Sequence, residues 1–115
     1  MRRATISYMT TESRTPRTLE VDVAESYSER VAGLSGTTPV RGLVFPRSSE
    51  RGAEYTMTNM IVPIEIYFVG AGGAVQEARV AHPGSIVRYS GNHLWFVAEL
   101  PLGSTSLLAK SMSYR

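Results

Sequence analysis

The chain contains no cysteine. That absence excludes disulfide staples, a thiol nucleophile, iron–sulfur clusters and zinc sites built on sulfur. Histidine is scarce as well: only His82 and His93 occur, both beside turn residues, in HPG and GNHLW. A metal centre wants three or four convergent ligands. Only scattered carboxylates could supplement the two imidazoles, so neither a metal nor another cofactor is expected. Lysine is almost missing, since the twelve cations are eleven arginines and Lys110. Set against ten acids they leave a net charge of +2, and only Arg2 and Arg3 are adjacent. Nucleic-acid affinity draws on several clustered cations, so no nucleic-acid partner is expected. No apolar run reaches 18 residues, which argues against a membrane-spanning helix. The amino terminus, MRRATISYMTTESR, starts basic but lacks the apolar stretch of a secretory signal. The expectation is a cytoplasmic or virion-associated chain unless a leader has been removed.

What is present fits one domain. The 115 residues are 43% apolar and 19% charged, enough to bury one core. The domain is expected to span residues 1–115, with 1–17 able to serve as an extended N-terminal segment. RATISYMT (3–10) and TLEVDVA (18–24) alternate apolar and polar residues, the period of half-buried strands. Ser26 and Glu29 are spaced as a capping box, which predicts one short helix through Arg30 and Val31 stopping at Gly33. GLVFP reads as a short apolar strand and PRSSERGAE as loop. Residues 55–60 and 63–69 read as strands with Pro63 between them, followed by a glycine hairpin turn and the alternating AVQEARVAH. LWFVAEL and SLLAKSMSYR supply two further strands, separated by the turn PLGS. The class is therefore mainly β, a single-domain β-sandwich or jelly-roll-like barrel with one short helix.

Four pieces of the chain in order, SERVAGL, GLVFP, TMTNMIVPIEIYFVGAGGAV and FVAELPLGS, resemble the domain of unknown function 192 family. Its pattern places Glu-Arg-x-x-Gly-Leu-Met at a helix end, then a Leu-x-Phe strand. Trp-Met-x-Asn-Thr leads into Pro-Leu-Asp-Ile-x-Phe, and Leu-Glu-Leu-Pro-x-Gly closes the series. The resemblance spans residues 19–104 and falls on Glu29, Arg30, Gly33, Leu34, Phe45, Met57, Asn59, Pro63, Phe68, Glu99, Pro101 and Gly103. It departs at Ser35, Thr56, Met60 and Glu65, where the family has methionine, tryptophan, threonine and aspartate. The resemblance implies a small jelly-roll-like β domain and carries no activity with it.

Five residues are candidates for contact with a ligand or partner: Arg30, Met57, Asn59, Glu65 and Trp95. Asn59, between Met57 and Met60, either lines a groove or, the preferred role, satisfies buried backbone at a strand end. Glu65 alternates with Ile64 and Ile66, so a solvent-facing carboxylate is preferred to a catalytic acid. Arg30 could hold an anion or cover apolar surface; a buried ion pair is the middle case. Trp95 and Phe96 are expected on opposite faces of their strand, one in the core and the other available to a sugar or protein. No GxSxG elbow or dinucleotide loop is present, so no catalytic residue is assigned.

The functional expectation is a non-enzymatic β domain that binds a protein partner, a second copy of itself or a saccharide. The alternative is a structural or decoration protein of a phage particle or another large assembly. In that alternative the N-terminal strand would pair with a neighbouring subunit. In a self-contained module it would complete the protein's own sheet, and the latter is preferred.

Overall fold

Strands β3, β5 and β8 explain the architecture, because they are apolar on both faces. In β5 (Ile64–Gly70) every residue is buried, and β3 (Gly42–Pro46) and β8 (Leu94–Pro101) are buried almost throughout. Strands of that kind must sit between two layers. The computed structural model describes residues 1–26, 29, 33, 36, 41–46 and 51–115. It contains seven strands in one sheet, ordered β6-β5-β8-β3-β2-β1-β9, and a separate pair, β4-β7. The remaining strands are β1 (Arg2–Thr10), β2 (Arg17–Val23), β4 (Arg51–Thr56), β6 (Val75–Ala81), β7 (Ile86–Asn92) and β9 (Ala109–Tyr114).

The large sheet curls until its two ends meet. An isolated bridge joins Ala74 to Ser111, and the Met112 amide donates to the Gly73 carbonyl at 2.8 Å. The result is a nearly closed barrel. Its interior holds Ile6 and Tyr8 from β1, Val21 and Val23 from β2, Tyr67 and Val69 from β5, Phe96 and Leu100 from β8, and Met112 from β9. The N-terminal strand is thus part of the chain's own sheet, paired antiparallel with both β2 and β9.

The outer face of β3-β8-β5 carries a second apolar layer of Leu43, Phe45, Ile64, Ile66, Phe68 and Val97. The β4-β7 pair covers it. Tyr55 of β4 meets Phe45 and Phe68 edge-on at 5.5 and 6.1 Å between ring centroids, and Tyr89 of β7 stacks on Phe68 at 4.8 Å. The polar stretch 51–54, expected as loop, is strand, and residues 57–60, expected as strand, form a turn. Among the described side chains of strand β7 only Val87 is buried, and the strand supplies no strong apolar signal. Two-stranded pairs of this kind gain their stability from packing on another layer, so tertiary contact decides them.

The capping box forms as expected. The Glu29 amide donates to Ser26 Oγ at 3.1 Å, and Glu29 Oε1 accepts from the Ser26 and Glu25 amides at 3.0 and 3.1 Å. These backbone contacts with Ser26 hold the Glu29 carboxyl below its ordinary range. One turn later the Gly33 amide donates to the Glu29 carbonyl at 3.0 Å, and Gly33 adopts φ 50°, the left-handed conformation of a helix C-cap. Arg30 and Val31 lie outside the described residues.

Candidate functional site

Glu65 sits at the centre of the chemistry in this molecule, though not where the alternation of β5 suggests. It is 1% exposed and points into the barrel. The carboxylate is saturated: the Tyr67 hydroxyl and the Thr105 amide donate to Oε1 at 2.5 and 3.1 Å, and the Gly103 and Ser106 amides donate to Oε2 at 2.6 and 3.2 Å. Tyr67 in turn shares a hydrogen bond with Thr105 Oγ1 and accepts one from the Leu107 amide at 3.2 Å. Burial, reinforced by the neighbouring carboxylate, pushes the Tyr67 hydroxyl well above its usual value and keeps it a donor.

The consequence is a loop shaped from inside. Between β8 and β9 the chain runs through Leu102–Leu108, and its amides turn inward toward the carboxylate rather than toward water. Ser106 and Leu107 pay for this with consecutive left-handed conformations, φ 53° and 63°, which are costly for non-glycine residues. Gly103 takes the same region at φ 90° without penalty. Turning the amides inward leaves the leucine side chains outside. Leu102, Leu107 and Leu108 are 55%, 36% and 54% exposed, three of the six large apolar side chains exposed among the described residues.

A cleft of about 390 Å³ opens between this loop and the β1-β2 connection. Tyr8, Thr10, Glu12, Ser13 and Arg17 form one wall, and Gly103–Ser106 with Leu108 form the other. Thr10 and Ser13 lock the β1-β2 wall by exchanging hydrogen bonds, each side-chain oxygen accepting from the other's amide at 2.9–3.0 Å. Both walls are therefore held in place before any ligand arrives. Arg17 and Glu12, both exposed, make no ion pair among the described residues.

The second buried acid, Glu99, is 4% exposed and lies on the opposite face of the sheet. In register it stands between Leu43 and Ile66, with Asp22 beyond Leu43 and Arg79 beyond Ile66. Burial alone pushes its carboxyl up to about 7. Asp22 is taken up by Arg3 and Arg41, and Arg79 by Glu77. The two buried acids thus lie on different faces and do not form an acid–base pair. No group of three or more histidines and carboxylates placed to hold a metal occurs among the described residues.

The other candidates are dispersed. Met57 is buried in the outer layer, and its backbone ties the 57–60 turn to Gly84 and Ser85. Asn59 is exposed, and its backbone carbonyl, not its amide group, accepts a bond from Gly36 at 2.8 Å. The expected buried amide is therefore corrected: the side chain makes no hydrogen bond among the described residues. Trp95 and Phe96 do not face opposite sides. Val69 pairs with Phe96 but Gly70 with Leu94, so Trp95 is the extra residue of a bulge. Phe96 is buried in the barrel interior and Trp95, half-buried, packs against the same cluster, the ring centroids 5.1 Å apart, while Trp95 also stacks on Tyr114. Arg30 falls outside the described residues. Sequence reading missed the cleft residues Arg17, Ser104, Ser106 and Leu108; the one available signal was the leucine pair in PLGSTSLL, read as the start of a strand.

The model of the DUF192 family (Uncharacterized ACR) matches residues 8–109. No curated protein shows a significant sequence match. Two crystal structures are similar in fold. One is a Sinorhizobium meliloti 1021 protein provisionally described as a transcription regulator. It is 20% identical with a TM-score of 0.82, over 99% of this chain and 93% of that one. The other is a protein of unknown function from Novosphingobium aromaticivorans DSM 12444, 21% identical with a TM-score of 0.76, over 96% and 83% of the two chains.

Proposed function

The chain belongs to the DUF192 family, an uncharacterised domain family, and from that premise we propose that it is a non-enzymatic module that binds a protein partner at the loop-bearing end of its barrel. The observation carrying this reading is the 102–108 loop, which is fixed from inside by Glu65 and presents Leu102, Leu107 and Leu108 to water beside a cleft. Exposed apolar side chains on a rigid loop are a feature of recognition surfaces. Preorganisation lowers the entropic cost of association. A saccharide reading draws less support, because the half-buried Trp95 already stacks on Tyr114 and meets Phe96 edge-on.

The reading as a binder rather than an enzyme rests on the acids. Glu65 has its oxygens filled by amides, and Glu99 stands among aliphatic side chains on the other face. The alternative of an assembly component that lends its first strand to a neighbour draws no support from β1, which is used at home.

The test is retention of identified proteins from a lysate of the source cells on the immobilised domain. The double variant Leu102→Ser, Leu108→Ser should lose a specific partner while its melting temperature holds. Equal retention by both forms would contradict the proposal.

A further inference from the structure

The cations of this protein are distributed unevenly, and the imbalance falls at the cleft. Away from it, described arginine side chains are paired: Arg2 with Glu25 at 2.6 Å, Arg3 with Asp22 at 3.3 Å, Arg41 with Asp22 at 3.5 Å, Arg79 with Glu77, and Arg88 with Glu54 at 3.0 Å. The exceptions, besides the terminal Arg115, are Arg14 and Arg17. Arg14 lies in the β1-β2 connection and Arg17 begins β2 on the cleft wall. Lys110 stands at the same end, one residue after Ala109, which pairs with Thr10. None of the three makes an ion pair among the described residues. The one carboxylate among the described residues lining the cleft is Glu12, the Glu65 carboxylate behind the far wall being taken up by the Gly103, Thr105 and Ser106 amides.

Arg17 is directed by its register. It stands opposite Tyr8, whose side chain faces the barrel interior, and both line the cleft. Its guanidinium is therefore presented beside the hydroxyl-bearing residues Ser13, Ser104 and Ser106, with Leu108 on the far wall. A planar guanidinium with free donors matches a carboxylate bidentately.

We propose that the partner engages this cleft through an acidic, leucine-compatible segment, with a carboxylate seated on Arg17 and apolar side chains against Leu107 and Leu108. This rests on the partner-binding reading and adds the chemistry of the partner. Arg14 and Lys110 extend the positive field around the mouth and favour the encounter at low ionic strength. The Glu12 carboxylate excludes a uniformly anionic ligand from that wall and suits a segment in which acids alternate with apolar residues.

The experiment uses the full chain, labelled with nitrogen-15, and three end-blocked decapeptides in which leucine alternates with glutamate, lysine or glutamine. The glutamate peptide should shift the amides of Arg17, Ser104, Ser106 and Leu108 saturably, and more weakly as salt is raised. Arg17→Gln should weaken binding about tenfold, the size of one charge-assisted contact, and Arg17→Lys should restore part of it. If all three peptides bind the cleft alike, the acidic chemistry is wrong while the partner-binding reading survives. If none shifts the cleft, the acidic proposal falls, and the reading itself falls only if the leucine substitutions also leave retention unchanged. A single-stranded DNA 20-mer or phosphatidylserine vesicles shifting these amides in place of the glutamate peptide would also overturn the proposal.

Discussion

Replacing Glu99 with glutamine should make the protein more stable at pH 8 and leave it nearly unchanged at pH 4.5. Glu99 is 4% exposed between Leu43 and Ile66, and burial raises its carboxyl from 4.5 to about 7. The folded state therefore keeps the proton to a higher pH than the unfolded chain. Its stabilising share is complete below about pH 4.5 and is lost as pH rises through about 7. The gap between 4.5 and about 7, at about 1.4 kcal/mol for each step of one in pH, gives a loss of about 3 kcal/mol across that window. Glutamine keeps the shape without the titration. The assay is urea unfolding followed by fluorescence of the single tryptophan, Trp95, at half-unit steps from pH 4.5 to 8.5. The difference between wild type and Glu99→Gln should grow with pH and flatten above about 8. A variant less stable than wild type at pH 8 would refute the reasoning. It would instead mean that a cation stabilises the Glu99 carboxylate.

Two further outcomes follow from where side chains lie. Asn59→Ala should change stability by less than about 0.5 kcal/mol in calorimetry, because the exposed side chain bonds nothing described; a loss above about 1 kcal/mol would show that the amide has a partner. Deleting residues 1–10 removes the buried Ile6 and Tyr8, worth about 1.5–3 kcal/mol each, and the strand that links β2 to β9. The truncated chain should give no cooperative melt by circular dichroism, and a folded truncated monomer would contradict the closed-barrel description.

The sequence disclosed strands that bury one face, and some that bury two, but not the faces themselves. Strands β1 and β2 each alternate over three apolar positions, Ala4, Ile6 and Tyr8 in one and Leu19, Val21 and Val23 in the other, and were legible to within a residue or so. In β5 the same alternation misleads, since a central strand has no solvent side: Ile66 goes to the outer layer and Glu65 to the barrel interior, equally buried. Nothing local announces that three amides some forty residues away will donate to that carboxylate. Trp95 was misplaced because a bulge interrupts the alternation, and a bulge is decided by the opposing strand. Two pieces of the family pattern, the Pro-x-acid piece at Glu65 and the Pro-x-Gly piece at Gly103, proved to be the two halves of one clamp. Their meeting requires the fold, so the cleft they shape could not be read before it.

The central claim is that the Glu65 carboxylate holds the 102–108 loop in its cleft-forming shape. Amide hydrogen exchange measured residue by residue in wild type and Glu65→Gln tests it most directly. Glutamine can accept with one oxygen only, leaving at least one inward amide without a partner at about 1–3 kcal/mol. The account predicts that the amides of Gly103, Thr105 and Ser106 are protected in wild type and exchange at least about tenfold faster in the variant, while those of Phe68 and Val97 keep their protection. Unchanged protection of the loop amides in a folded Glu65→Gln protein would contradict it.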